Sequence, residues 1–277
     1  MTPITPVPPT WLIALRTAAF DAKLNLLGEL EYRGAFLIWV LGDLVRSLIS
    51  LAVWLTVSEH SARLPLDRSQ LVTYFVAQGL VSTLTISWLV YLVPENIQEG
   101  YLSARLLRPV SPLAHFAGNN LGEKALRLLL LVPLTAAAAL LFRADLRLPS
   151  DGATWALFAA AVALAAVVAF LLDLVVCSMA FWLQDVWGLR SAFSLAERFL
   201  NGGLIPLALL PPWLMGLAHA QPFRYTLSFP LEILTGALSS EALGRGFAWQ
   251  AGYAAGLYVL YRVQWRYGLR AYSAAGA

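Results

Sequence analysis

The chain is poor in charge. Asp, Glu, Lys and Arg make up 13% of its 277 residues, and lysine occurs only at Lys23 and Lys124. A soluble domain carries about 25% charged residues and about 45–50% apolar ones, whereas 59% of this chain is hydrophobic. The single cysteine, Cys177, excludes an intrachain disulfide and leaves no cysteine-based metal set. Histidine occurs three times, at His60, His115 and His219, and these do not form a His-x-x-x-His pair. No Cys-x-x-Cys, no Gly-x-Ser-x-Gly nucleophile elbow and no dense acidic cluster is present, which argues against an enzyme and against a bound metal. No Gly-x-x-x-x-Gly-Lys-Ser/Thr loop is present either, so any ATP is bound by another polypeptide. Met1–Thr10 is proline-rich, without the basic stretch and short apolar core of a signal peptide.

What remains is hydrocarbon arranged in runs. Segments of about 18 or more apolar residues can cross a bilayer as helices. Six are read, at 36–57, 71–93, 125–142, 155–182, 193–210 and 244–263. The expected fold is therefore an all-α polytopic membrane protein forming one transmembrane domain. The fifth run contains Asn201-Gly202-Gly203 and Pro206 and must kink or break. Glu197 and Arg198 read as its anchor. No internal repeat is evident, which disfavours an inverted-repeat transporter.

Before the first run, residues 11–33 place Leu12, Leu15, Ala19, Ala22, Leu26 and Leu30 on one helical face, with Thr17, Asp21 and Asn25 opposite. Arg16, Asp21, Lys23, Glu29 and Glu31 make this helix too charged to span, so it is expected flat at the interface. With the N-terminus in the cytoplasm, twelve Lys and Arg fall inside and six outside, while Arg46 lies within a span. That asymmetry puts both termini in the cytoplasm.

The same count puts Pro94–Pro112 inside. It is a compact polar insert: Pro94 suits a first helical turn, Glu95 suits the positive helix end, and Arg108-Pro109 gives a stop. Ile97, Tyr101 and Ala104 point one way and Leu102 and Leu106 another, and Gly100 is a potential break. A loop helix on lipid headgroups and a plug against another protein remain equal readings.

Ionisable residues within spans are functional candidates by default. Asp43 and Arg46 are helical neighbours, either a self-satisfied pair or a substrate contact. Asp173 has no local partner. Between the fifth and last runs, residues 211–243 are too apolar for a free loop and are expected as short re-entrant outer helices.

The pattern Ile97-x-x-Gly100-x-Leu102-x-x-x-Leu106-Leu107-Arg108-Pro109, after the second of six runs, resembles the permease subunits of ABC-2-type ABC transporters. So does Gly203-Leu-Ile-Pro206-Leu-x-x-Leu-Leu-Pro211-x-Trp213, followed by Pro222-Phe-Arg-Tyr-x-Leu-x-Phe-Pro230-x-Glu-Ile-Leu-x-Gly236. The resemblance, which includes a bacterial branch, covers essentially the whole chain. It implies a permease that dimerises with an identical or related chain in the lipid of a bacterial plasma membrane. Two cytoplasmic ATPase subunits would bind the ATP and magnesium, so this chain would need no cofactor of its own. No nucleic-acid partner is expected. Residues 94–112 would be the coupling segment, with apolar contact from Ile97, Tyr101, Leu102 and Leu106 and polar contact from Glu95, Glu99, Arg105 and Arg108. Pro211, Trp213, Pro222, Phe223, Arg224, Pro230 and Glu232 would belong to an outer gate. The apolar pathway suggests export of a lipophilic or amphipathic substrate. The alternatives are an ion-coupled secondary transporter using Asp43, Arg46 or Asp173, and an intramembrane lipid-modifying enzyme.

Overall fold

The structure is a computed structural model that describes residues 10–31, 33–60, 64–108 and 110–272. Tyr32 and Pro109, which fall within the expected interfacial helix and coupling segment, lie outside the described residues, as does the side chain of Asp43. Every regular element among the described residues is helical. In chain order they are α1 (Thr10–Glu31), α2 (Arg33–His60), α3 (Arg68–Thr85), α4 (Leu89–Gln98), α5 (Tyr101–Leu106), α6 (Pro112–Leu141), α7 (Gly152–Cys177), α8 (Val186–Leu200), α9 (Pro212–Ala220), α10 (Ser228–Leu234) and α11 (Ser240–Ala271). Short 3-10 turns occupy Ser178–Phe181, Leu207–Leu209 and Pro222–Thr226. The chain is thus an all-α membrane protein.

Three continuous stretches are long and apolar enough to cross a membrane: Arg68–Gln98, Pro112–Leu141 and Gly152–Phe181. The others differ for visible reasons. At 1.5 Å per residue, α8 is only about 22 Å long. It stops at Leu200, and the Asn201–Pro206 stretch carries the chain on without helix. α11 is long, but its uncharged middle, residues 246–261, is diluted by Gly, Gln, Trp and Tyr, and Arg245, Arg262, Arg266 and Arg270 flank it.

α7 is the centre of the bundle. It packs against α11, α10, α3 and α4, with α2 and α6 completing the wall around α3. One core cluster surrounds Phe75 on α3 and reaches Leu51, Ala138, Val162 and Leu231. A second gathers Val93, Ile97, Leu102, Phe116, Leu174, Tyr261 and Trp265 at the end of the bundle that holds α5. A third, at the opposite end, joins Ala161, Tyr225, Phe229 and Ile233. Close helix approach needs glycine at two places on α11. A Cβ on Gly246 would meet the Phe229 ring at 2.0 Å, and one on Gly268 would meet Phe181 at 2.2 Å.

Three local features differ from the sequence expectation. First, the run at 71–93 is not one helix. Thr85 Oγ1 donates to Val81 O and Ser82 O, and the backbone turns extended at Ile86 before α4 begins. The freed Ile86 carbonyl accepts a hydrogen bond from Lys124 Nζ at 2.7 Å. Non-helical backbone at such depth persists only where a protein group satisfies it. Second, α6 begins at Pro112, well before residue 125. Its first half is polar because α1 covers it. Third, α1 runs parallel to that half, with Ala18 against Gly118 and Ala22 against Gly122. Its packing face is therefore the small-residue stripe, reinforced by Leu26 beside Leu126, while Leu15 is exposed.

Candidate functional site

The polar insert forms a folded tip. Pro94 lies inside α4 and not at a helix start, so the insert grows directly out of the helix above it. Gly100 then reverses the chain with φ +82, a conformation that glycine adopts without strain. α5 follows for six residues and ends before the N-cap of α6, where the Ser111 side chain accepts from Leu113 N.

Side-chain bonds brace the tip on several sides. Asn96, itself buried, donates through Nδ2 to Leu92 O at 2.7 Å and accepts from Arg105 Nε, which ties α5 to α4. Gln98 Nε2 donates to Leu183 O and Gln184 O, both at 2.9 Å, fixing the turn to the connection between α7 and α8. Ser103 Oγ and Tyr272 Oη lie 3.0 Å apart, linking α5 to the end of α11. Along α1 an open groove of about 670 Å³ runs between Arg16, Phe20 and Asp21 on one side and Tyr101, Arg105 and Arg108 on the other. At its floor, Asp21 Oδ2 sits 2.9 Å from His115 Nδ1 of α6.

The expected coupling residues divide cleanly. Ile97 is 5% exposed and Leu102 is fully buried, both in the core beside Phe116. They therefore hold the tip down and do not face outward. Arg105 is half-buried and engaged with Asn96. Glu95, Glu99, Tyr101, Leu106 and Arg108 are exposed. Leu107, not singled out in the sequence, is 89% exposed, more than Tyr101 or Leu106. The mixed apolar pattern of the insert thus has a physical cause: one side packs inward and the other is bare.

A second polar region lies deeper. Asp173 on α7 pairs with Arg190 on α8, with Oδ1 to Nε at 2.6 Å. Arg190 Nη2 also lies 3.6 Å from Glu197 Oε2 and contacts the Ser194 hydroxyl. Nearby on α6, Glu123 and Arg127 form an ion pair at 2.9 Å, and Lys124 also donates to Asn120 Oδ1. All of these α6 side chains are buried. Arg46 lines the space between α2 and α8 that also contains Asp173, Arg190 and Glu197. The missed partner of Asp173 is separated from it by the turn between α7 and α8, and no periodicity could have indicated it.

At the opposite end, Arg224 and Glu232 form a two-pronged pair, at 2.6 Å through Nη2 and 3.5 Å through Nε, and Ser228 Oγ donates to Glu232 at 3.0 Å. Gln250 Nε2 from α11 bridges Ala161 O and Tyr225 O. Tyr74 Oη donates to Gly202 O at 2.9 Å, and Gln78 Nε2 to Gly203 O at 2.9 Å, so the broken stretch after α8 is held from α3. Among the expected outer residues, Arg224, Glu232 and Pro230 are buried together, while Pro222 and Phe223 are half-buried and the Phe223 ring packs on Phe193. Pro211 is exposed and Trp213 is 78% exposed, outside that cluster. Among the described residues no group of three or more His, Cys, Asp or Glu side chains converges on a common point.

A family model described as ABC-2 family transporter protein matches residues 68–276. No curated protein and no solved structure matches the chain.

Proposed function

The chain belongs to the ABC-2 family of transporter proteins, as a multi-pass membrane permease subunit of an ABC transporter, and from that premise we propose that it is the membrane half of an ATP-driven exporter. The tip from Glu95 to Arg108 is its seat on a cytoplasmic ATPase subunit. ATP and magnesium are bound and turned over in that separate chain. Two permease chains, identical or related, pair in the lipid of a bacterial plasma membrane. Each carries six crossings with both ends in the cytoplasm: α2, α3 with α4, α6, α7, α8 with the broken stretch beyond it, and α11. The α9–α10 region caps the outer side. The substrate is lipophilic or amphipathic.

The observation that supports this reading most is the contrast within the tip. Bare Tyr101, Leu106 and Leu107 sit on a turn that is anchored by buried Ile97, Asn96 and Leu102. Apolar side chains presented on a rigid support are what a partner interface requires, and force applied there passes directly into α4 and, through Phe116, into α6. A flexible loop would absorb that force.

The test is co-purification with a candidate stand-alone ABC ATPase co-expressed with this chain. Leu106→Asp places a charge on the exposed face without disturbing Ile97 or Leu102. Association is lost while insertion and thermal stability stay as in the parent chain. Association at the parent level with Leu106→Asp and Leu107→Asp combined would overturn the coupling role.

A further inference from the structure

The break between α3 and α4 has no local cause. Residues 80–93 contain neither glycine nor proline, and the whole Arg68–Gln98 stretch is apolar enough to span as one helix. The Thr85 hydroxyl bonds back to Val81 O and Ser82 O, which bends a helix but does not end it. The helix nevertheless stops. Ile86 still donates its N–H to Ser82 O, but its own backbone is extended, at φ −60 and ψ 148. In a continuous helix the Ile86 carbonyl would accept from Val90 N–H. Here it accepts from Lys124 Nζ at 2.7 Å. Lys124 is 6% exposed and is steadied on its own helix by Asn120 Oδ1, one turn back. The break is therefore held open from outside, by one side chain of α6.

Its position in the fold is also particular. Leu71, Phe75 and Val81 of α3 belong to the core cluster around Phe75. Leu89, Val93 and Ile97 of α4 belong to the cluster that anchors the tip. The unwound residues Ile86–Trp88 lie between the two packed bodies, where relative movement disturbs the fewest contacts. Closing them into helix replaces a rise of up to 3.3 Å per residue by 1.5 Å, which shortens the rod by up to about 5 Å.

We propose that Ile86–Trp88 is a two-position joint between the tip and the bundle, and that Lys124 is the positioning residue that keeps it open. With the clasp made, α4 and the tip sit as described. With the clasp released, the segment closes into one helix from Arg68 to Gln98, the Ile86 carbonyl passes to Val90 N–H, and Lys124 retains Asn120. Discrete arrangements of a packed element are how small movements at one site become large ones at another. The inference rests on the permease reading for what drives the joint, namely force on the tip, but its two positions need no ATPase.

The test uses the full purified chain in a non-ionic detergent, with Cys177→Ser to remove the native thiol. Nitroxide labels at Pro65→Cys and Glu99→Cys, exposed positions at the two ends of the α3–α4 rod, report its length by pulsed electron resonance. The parent gives one distance. Lys124→Met adds a population shorter by on the order of 5 Å, from the difference in rise. Adding Ser87→Pro to Lys124→Met restores the parent distance. Proline has no N–H for the closed helix, and it requires before it the extended backbone that Ile86 already has. A lysine that only supports packing would lower stability in both variants and shorten neither. Thr85→Ala with Ser87→Ala leaves Lys124 in place and favours helix at the joint, so the short population rises severalfold over the parent. No shorter population in Lys124→Met or in the alanine pair would overturn the joint, as would a short distance that persists with Ser87→Pro. In the complex with the ATPase, ATP shifts the parent chain to the short distance. An unmoved distance with the ATPase demonstrably bound would overturn the joint's part in coupling, whereas loss of ATPase binding itself would count against the permease reading and leave the detergent result standing.

Discussion

The seam between α1 and α6 makes a sharp quantitative prediction. A Cβ added at Gly118 would lie 2.3 Å from Ala18 O, 2.6 Å from Ala18 Cα and 2.8 Å from Ala18 C. At Gly122 the corresponding Ala22 distances are 2.3, 2.8 and 2.9 Å. Every one of these neighbours is backbone, so no rotamer can relieve the clash. Ordinary contact begins at 3.4 Å, and raising 2.3 to 3.4 requires α1 to move away by about 1.1 Å. Overpacking costs about 1–3 kcal/mol, and rigid backbone puts this case near the top. Alanine returns about 1 kcal/mol of helix propensity, leaving a net cost of about 2 kcal/mol or roughly thirtyfold in the seating of α1. The assay exploits the scarcity of lysine. A lysine-specific protease has Lys23, exposed on α1, and Lys124, buried on α6, as its only targets. Cleavage after Lys23 accelerates by about thirtyfold in Gly118→Ala when opening is fast relative to cleavage. The double variant with Gly122→Ala falls short of the product of the two, because one displacement relieves both clashes. Gly28→Ala on α1 has nothing within 4 Å of its new Cβ and serves as the control, with cleavage unchanged or slowed. Equal cleavage rates in Gly118→Ala, Gly122→Ala and the parent chain would refute the seam.

Two further outcomes follow from other parts of the fold. Arg190→Gln leaves Asp173 buried without its counter-charge, which costs about 3–5 kcal/mol. The thermal midpoint in detergent drops, and adding Asp173→Asn restores most of it; no recovery in the double variant would show that the pair is not the cause. The N-cap Asp67 is titratable and lies outside the apolar helices. The Ser69 hydroxyl and then the Gln70 N–H hold its carboxyl below the ordinary value of 3.8. Its contribution is therefore complete above that value and is lost as pH falls through the lower native one. Asp67→Asn keeps a cap without the charge, so its midpoint falls less than that of the parent chain below about pH 4. Identical pH profiles would exclude Asp67 as a contributor.

The sequence reading was strongest where hydrocarbon was unbroken. The run ending at Trp182 is apolar apart from Asp173 and Ser178, and α7 with its 3-10 extension occupies it. The breakdown after α8 was visible in Asn201-Gly202-Gly203, because glycine and proline act through their own backbones. The break at Ile86 was not visible, since Thr85 and Ser87 sit comfortably in helices and only the distant Lys124 satisfies the opened carbonyl. The first half of α6 read as connection because Glu123, Lys124 and Arg127 suit a loop unless another helix covers them. The cover was legible in hindsight: Ala18-x-x-x-Ala22 and Gly118-x-x-x-Gly122 are small-residue pairs one helical turn apart, the spacing that lets helices approach closely. At the tip, residue types indicated an interface but not its orientation. Only packing against Phe116 separates buried Ile97 and Leu102 from exposed Tyr101 and Leu107.

The central claim is that the bare face of the tip meets the ATPase. A photo-crosslinking benzoylphenylalanine at Tyr101 or Leu107 tests it in the assembled complex, with Trp213, exposed at the opposite end of the bundle, as the control. The account predicts that the ATPase chain is captured from Tyr101 and Leu107 and not from Trp213. Capture from neither tip position, or equal capture from Trp213, would contradict it.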